Sequence, residues 1–109
     1  MLFAEGSSFY AGRFWAIFHD QLPPHLVTSP LMVAFAAPRR NFKKAVDRNL
    51  IKRRMREAWR FHKADFLPFL EENDKKLAIL VKYNSRKIHT FNEIEKDMIR
   101  VFKKLKEKI

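Results

Sequence analysis

The segment from Lys43 to Lys63 constrains the fold of this chain most, because it contains no glycine or proline and its apolar residues recur at helical spacing. At about 100° per residue, one side of the helix would carry Val46, Leu50, Ile51, Met55, Ala58, Phe61 and His62. The opposite side would carry Arg48, Asn49, Lys52, Arg53, Arg56 and Arg60. Arg54 falls among the apolar residues, and the pattern does not explain it. The segment therefore predicts an amphipathic helix with one strongly basic face.

The positive charge of the chain is concentrated in and just before this helix. Residues 39–63 contain eleven of the 23 lysine and arginine residues and only two acidic residues, which gives this segment a net charge of +9. The other 84 residues carry a net charge of only +2. Like charges four residues apart weaken an isolated helix, so a binding role explains the pattern better than stability does. Such a segment is typical of a site for nucleic acid or an anionic membrane, and arginine suits bidentate phosphate contacts.

Three other segments predict β-strands. Residues 9–19 alternate in character, so that one face is apolar and the other is mixed and open. The apolar face would carry Phe14, Ala16 and Phe18, and the open face Arg13, Trp15, Ile17 and His19. Residues 31–37 are apolar on both faces, which predicts a central strand, and residues 77–83 predict a second buried strand.

The connections between these elements contain the breaking residues. Residues 20–30 include three prolines and predict a loop, and residues 39–42 allow a further short strand. Pro68, within the acidic segment 65–74, predicts the end of the basic helix. The whole chain, residues 1–109, is therefore expected to form a single α/β sandwich domain.

A second helix is predicted at the C-terminal end of the chain. Thr90 followed by Glu93 forms a capping box, which marks the start of a helix. Its apolar stripe would be Phe91, Ile94, Met98, Val101, Phe102 and Leu105. Glu93, Glu95 and Asp97 are expected to lie in solvent in the first turns, where the helix dipole favours negative charge.

The composition argues against an active site carried by the protein itself. There is no cysteine, which excludes a disulfide framework and a thiolate nucleophile, and the four histidines lack metal-binding spacing. Glycine occurs only twice, so no glycine-rich phosphate loop is present. No apolar run reaches the roughly 18 residues of a membrane span, and no signal peptide is recognisable. The sequence predicts a cytoplasmic protein that binds a polyanion, with no catalytic or metal-ligating residues.

The open face of the first strand allows two interpretations. Trp15, Arg13 and Phe9 could stack on single-stranded bases, as residues on RNA-binding sheets do. Alternatively, Trp15 packs beneath a helix. The sequence alone does not decide between them.

The run from Pro38 to Arg60 resembles the signature of the bacterial ribonuclease P protein subunit. The signature is an Ala-Val-x-Arg-Asn sequence followed by Lys-Arg and then Arg-Glu on one basic helix. In this chain these positions are Ala45, Val46, Arg48, Asn49, Lys52, Arg53, Arg56 and Glu57. The resemblance extends to residues 2–18, to the strand at 77–83 and to the last helix, and so covers essentially the whole chain.

The resemblance implies both a fold and a function. The fold is a two-layer α+β sandwich with a mostly antiparallel sheet of about four strands, similar to the second domain of a small-subunit ribosomal protein. The basic helix would join two parallel strands in a left-handed β-α-β crossover, an exception to the usual right-handed rule. The holoenzyme removes the 5′ leader of precursor transfer RNA. Its RNA subunit would hold Mg²⁺ and perform the hydrolysis, and the protein alone would be inactive.

The resemblance also implies the site residues and the partners. The expected partners are the ribonuclease P RNA and precursor transfer RNA, with no DNA and no membrane. The residues expected to bind RNA are Arg39, Arg40, Lys43, Lys44, Arg48, Asn49, Lys52, Arg53, Arg56 and Arg60. The residues expected to line a cleft for the leader are Phe3, Arg13 and Trp15. Members of the family usually begin with a basic tail and a helix with cleft aromatics, so we expect the N-terminal helix to be truncated here.

Two other functions stay open from the residues alone. A ribosomal-type RNA-binding protein or RNA chaperone could use the same basic face without any associated ribozyme. A helix-turn-helix DNA-binding protein is disfavoured, because the basic helix is predicted between strands and no preceding helix supports it.

Overall fold

The structure is a computed structural model that describes residues 7–20 and 30–109. The elements are β1 (Ser7–Ala11), β2 (Phe14–His19), β3 (Leu31–Ala36), α1 (Ala45–Glu72), β4 (Leu77–Tyr83) and α2 (Phe91–Lys108). The strands form one sheet in the order β1-β2-β4-β3. The pairs β1–β2 and β2–β4 are antiparallel, whereas β3 and β4 are parallel. The predicted α+β fold, with a mostly antiparallel four-stranded sheet and two helices, is confirmed.

Residues 9–19 form a hairpin rather than one strand. Ala11 pairs with Phe14, so only Gly12 and Arg13 lie in the turn. Gly12 has a φ of 57°, which favours glycine at the first position of a two-residue hairpin turn. The hairpin brings Phe9 opposite Ala16, on the face of the sheet that packs against the helices. The prediction that Phe9 lies on the open face is therefore wrong, and this ring is buried.

Both helices pack on one face of the sheet. The predicted apolar residues of β2, Phe14, Ala16 and Phe18, are all buried there. Trp59 of α1 joins the two layers, because its ring lies 6.0 Å from that of Phe35 in β3 and 4.4 Å from that of Phe102 in α2. The helical pattern left Trp59 unassigned to either side of the helix.

Helix α1 is longer than predicted and is rotated relative to the predicted faces. It continues through Pro68 to Glu72, because Phe66 and Leu70 are buried on either side of the proline and packing outweighs the lost backbone hydrogen bond. Of the predicted apolar side, Ile51, Met55 and Ala58 are buried as expected. Val46 and Phe61 are 70% and 58% exposed, so their assignment to the core was wrong.

Strand β3 is an edge strand, which corrects its prediction as a central one. Within residues 7–20 and 30–109 it pairs only with β4, and Leu31, Val33 and Phe35 on one face pack against the core. The prediction of a buried strand at residues 77–83 is confirmed, because β4 lies between β2 and β3 in the sheet. Residues 39–42 form a turn and not a strand, with the backbone N–H groups of Asn41 and Phe42 donating to the Pro38 carbonyl. The prediction of a loop at residues 20–30 falls mostly on 21–29, which lie outside the described residues.

Candidate nucleic-acid interface

Helix α1 presents a stripe of four basic residues and one asparagine to solvent. The exposed residues Asn49, Arg53, Arg56, Arg60 and Lys63 follow one another at spacings of three and four, so their side chains share one face of the helix. Within the described residues, the only ion pair of this stripe joins Arg60 to Glu57, with 3.9 Å between the Nη2 and Oε1 atoms. A surface pair at this distance contributes little, so the stripe keeps nearly all of its positive charge.

Basic residues also precede the helix. Arg39, Arg40, Lys43 and Lys44 are all exposed in the segment that joins β3 to α1. Lys52, half-buried, lies one turn from Arg48 on the helix. All ten residues predicted to bind RNA therefore belong to one continuous segment, and Asn49 and seven of the nine basic residues are exposed.

Arg48 differs from the other predicted RNA-binding residues because its guanidinium is used within the protein. Its Nη1 atom donates to the carbonyls of Phe42 and Lys43, at 2.8 and 2.9 Å. Lys44, the N-cap residue of α1, provides no capping side chain. Arg48 thus fixes the turn that leads into the helix, in addition to any contact that it makes with a ligand.

Arg54, which did not fit the apolar side of the helix, has a specific partner. Its Nη1 atom donates to the carbonyl of His89, at 2.6 Å, in the segment between β4 and α2. The charged group is therefore satisfied where it is half-buried. This contact ties the basic helix to the connection that leads into α2.

A groove follows the basic stripe along the β3 edge of the sheet. It is lined by Val33, Ala34 and Phe35 of β3 and by Arg56, Trp59, Arg60 and Lys63 of α1. Its volume is about 470 Å³. Apolar side chains beside guanidinium and ammonium groups can hold a nucleic-acid strand, with its phosphates contacting the charged groups.

The other face of the sheet is covered by neither α1 nor α2. Tyr10, Trp15, Lys82 and Ala36 stand side by side on it, one from each strand. The rings of Tyr10 and Trp15 are 6.4 Å apart, and the Lys82 ammonium lies 5.7 Å from the Trp15 ring. Trp15 therefore does not pack beneath either helix, and the row offers aromatic rings next to a positive charge.

Arg13 does not share this open face with Trp15, which corrects the predicted placement. It lies in the hairpin turn, and its guanidinium reaches the helix layer, where Nη1 is 2.9 Å from the Oδ2 atom of Asp97. The Nη2 atom also lies 3.3 Å from a carboxylate oxygen of Glu93. The hydrogen bond that its guanidinium donates to the Asp97 carboxylate raises the pKa of Arg13. Phe3, the third predicted leader-cleft residue, lies outside the described residues.

Asp97 corrects a second prediction, because it is 1% exposed and does not lie in solvent. Its Oδ2 atom accepts hydrogen bonds from the backbone N–H and the Nη1 group of Arg13, and its Oδ1 atom accepts a longer one, at 3.4 Å, from Arg100. Thr90 and Glu93 do form the predicted cap, with the Glu93 N–H donating to the Thr90 hydroxyl.

Within residues 7–20 and 30–109, no group of three or more histidine, cysteine or acidic residues is placed to hold a metal ion. Neither helix is long and apolar enough to span a membrane.

The fold and this basic surface have the features of a small nucleic-acid-binding protein. A family model described as Ribonuclease P matches residues 1–106, and the chain belongs to the ribonuclease P protein family. Among solved structures, the chain is similar to the RNase P protein of Staphylococcus aureus, with a TM-score of 0.71 and 21% sequence identity. The match covers 95% of this chain and 84% of that one and supports the same fold. No curated protein sequence gives a significant match.

Proposed function

We propose that this chain is the protein subunit of a ribonuclease P holoenzyme, in which it binds the catalytic RNA and assists the 5′ maturation of precursor transfer RNA. The observation that carries the proposal is the exposed stripe Asn49, Arg53, Arg56, Arg60 and Lys63 in a chain of the ribonuclease P family. A stripe of like charge this dense has little structural value by itself, whereas it is complementary to an RNA backbone.

In this proposal the stripe binds the RNA subunit through phosphate contacts. The guanidinium groups suit bidentate contact with phosphate oxygens, and the apolar groove beside them accommodates the sugar and base side of a strand. Arginine and lysine repel a metal cation, so we assign Mg²⁺ and the hydrolysis to the RNA subunit. The protein contributes positive charge that offsets phosphate repulsion when the two RNAs are held together.

The open face of the sheet is the surface that we assign to the 5′ leader. Tyr10 and Trp15 provide rings on which unpaired bases can stack, and Lys82 can contact a phosphate between them. Of the residues expected to line the leader cleft, Trp15 keeps this role. Arg13 takes the role of holding the hairpin turn against α2, because both of its terminal nitrogens face carboxylates.

The assignment of the leader is tested by comparing two substrates. The reconstituted holoenzyme should bind precursor transfer RNA more weakly after Trp15→Ala, by about tenfold, since one stacked base contributes about 1–3 kcal/mol. Its affinity for mature transfer RNA, which has no leader, should stay unchanged. Phe61→Ala provides a matched control, because Phe61 is an exposed aromatic residue on the opposite layer. Equal losses for both substrates would contradict the assignment.

A further inference from the structure

A polar cleft lies between two loops at one end of the sheet. It is lined by Arg40, Asn41, Asn84, Ser85 and Arg86 and has a volume of about 520 Å³. Arg40 belongs to the predicted basic segment, whereas no role was predicted for residues 84–86. The two parts are distant in the chain, since Asn41 and Ser85 are 44 positions apart.

The parallel pairing of β3 and β4 explains why these loops meet. Ala36, the last residue of β3, pairs with Lys82 near the end of β4. The chain segments that follow two neighbouring parallel strands leave the sheet at the same end of the strands. The turn at residues 38–42 and the loop that begins at Asn84 are therefore neighbours.

Direct contacts hold the two loops together. The Asn41 side-chain amide donates to the Ser85 carbonyl, at 3.3 Å. The rings of Phe42 and Tyr83 lie 5.8 Å apart beneath them. The Asn84 backbone N–H donates to the carbonyl of Arg13 in the hairpin turn, at 2.7 Å. The shape of the cleft is therefore fixed by contacts from both loops.

The second loop is also ordered by its own hydrogen bonds. The Tyr83 hydroxyl donates to the Lys87 carbonyl at 2.6 Å and accepts from the His89 N–H at 3.1 Å. The Lys87 N–H donates to the Ser85 hydroxyl. At its far end the loop is held by Arg54, through the His89 carbonyl. A ligand at this cleft would find the backbone already in place, which lowers the entropy cost of binding.

The groups that face the cleft are complementary to an anion. Arg40 and Arg86 are exposed, and neither forms an ion pair or a side-chain hydrogen bond within the described part of the chain. No carboxylate lines the cleft, and its surface is mainly polar. Guanidinium groups and side-chain amides are the donors that proteins use for RNA phosphates, whereas stacking on a base requires an aromatic or apolar wall.

We propose that this cleft binds a phosphate group of the RNA backbone, held between Arg40 and Arg86 with the Asn84 side-chain amide as a further donor. The inference rests on the proposed function, because it extends the RNA interface from the start of α1 to the loop between β4 and α2. Asn41 acts as a positioning residue that keeps the two loops in contact.

The test compares single alanine variants at the two ends of β4. Arg86 follows the strand and lines the cleft, whereas Lys76 precedes it and is also exposed. The seven residues of β4 separate the two positions by about 20 Å, beyond the Debye length of about 10 Å at 0.1 M salt. The measurement is the affinity for the cognate ribonuclease P RNA as a function of KCl concentration, together with the melting temperature of each variant.

Arg86→Ala should weaken binding several-fold and make the log–log salt slope shallower by about 0.9, the loss of one phosphate contact. Arg86→Lys should restore most of the slope. Lys76→Ala should change neither quantity, and all three melting temperatures should match the wild type. If the wild type binds RNA normally but Arg86→Ala and Lys76→Ala have equal effects, the proposal that this cleft binds an RNA phosphate would be overturned. A wild-type protein that does not bind the RNA would instead overturn the proposed function.

A double-mutant cycle tests whether the two arginines share one site. If Arg40 and Arg86 hold the same phosphate, the double variant should lose less affinity than the sum of the single losses. Fully additive losses would contradict a shared site. Adding millimolar inorganic phosphate to the protein without RNA tests whether the ligand is free phosphate. If the cleft is a site for RNA, the melting temperature of the protein should not change. A rise that Arg86→Ala abolishes would identify a site for free phosphate and overturn the assignment to RNA.

Discussion

Asp97 and Arg13 are 84 positions apart in the chain, yet the Oδ2 atom of Asp97 accepts both the backbone N–H and the side-chain Nη1 group of Arg13, at 3.1 and 2.9 Å. Asp97 is the only charged residue that is buried within the described residues. The contact joins the β1–β2 turn to α2, and so it fixes how the hairpin sits against the helix layer.

Removing the Asp97 carboxylate should destabilise the protein substantially. Asp97→Ala leaves the backbone N–H and the Nη1 group of Arg13 without their acceptor, and we expect the free energy of unfolding to fall by about 2–4 kcal/mol. The loss is limited because Arg13 is partly solvated and keeps its contact with Glu93. Glu107→Ala, at an exposed position of the same helix, should change it by less than about 0.5 kcal/mol. Urea denaturation measures both values, and equal small losses would contradict a structural role for Asp97.

Gly12 should be intolerant of alanine for two reasons. Its positive φ costs an L-residue about 1–2 kcal/mol, and an added Cβ would overlap the Asp97 carboxylate. We expect Gly12→Ala to lower the free energy of unfolding by more than the φ penalty alone. In an Asp97→Ala background the overlap is absent, and the cost should fall to about 1–2 kcal/mol. The same cost in both backgrounds would show that Asp97 does not crowd this turn.

The contribution of Glu93 should depend on pH. Its carboxylate accepts from the His89 ring and the Thr90 hydroxyl, and these hydrogen bonds, the first above all, lower its pKa from the ordinary value of 4.5. Arg13 faces the same carboxylate and acts in the same direction.

A lowered pKa in the folded state stabilises the protein above pH 4.5, and this gain is lost as the pH falls through the folded-state value. Glu93→Gln should therefore be less stable than the wild type at pH 7, and the difference should shrink as the solution is acidified. Thermal melts across this pH range measure the effect. A difference that does not vary with pH would show that the charge of Glu93 contributes nothing.

The basic residues of α1 should separate into two groups on substitution. Arg53→Ala and Arg56→Ala should each weaken RNA binding and make the log–log salt slope shallower by about 0.9 without changing the melting temperature. Arg48→Ala should also lower the melting temperature, because it frees the carbonyls of Phe42 and Lys43. Four or five phosphate contacts would give the wild type a slope of roughly −3 to −4. If the variants of Arg53 and Arg56 keep the wild-type salt slope, these residues make no phosphate contacts and this face of α1 is only solvated.

The sequence predicted the elements better than it predicted their exact faces. Ile51, Met55 and Ala58 were placed correctly because their spacing defines a stripe, but Val46 and Phe61 are apolar residues that the sheet does not cover. Nothing in a helical pattern tells an exposed phenylalanine from a buried one, because the direction of the sheet is set by tertiary packing. Pro68 was misread for the same reason, since the buried residues on either side keep the helix intact.

One charged residue that lay within an apolar stripe carried a signal. Arg54 falls at a position that the helical periodicity assigns to the core, and its guanidinium donates to the His89 carbonyl. A charge at such a position is better treated as a sign of a long-range contact than as a misfit. Asp97 was instead expected in solvent, and its burial against Arg13 was not predicted. The cleft residues Asn84 and Arg86 carried no such signal, because only the parallel pairing of β3 and β4 brings them beside Arg40.

Cleavage of precursor transfer RNA at low Mg²⁺ tests the central claim most directly. The cognate ribonuclease P RNA is assayed alone, with the wild-type protein, and with an Arg53→Ala/Arg56→Ala variant, beside the protein freed of all RNA. We expect the RNA-free protein to be inactive. The wild-type protein should restore cleavage by the RNA at low Mg²⁺. Its effect on the cleavage rate should shrink as Mg²⁺ and monovalent salt rise, because the ions then supply the same screening of the phosphates. The variant should rescue less than the wild type. Cleavage by the RNA-free protein, or RNA binding without any rescue, would contradict the account.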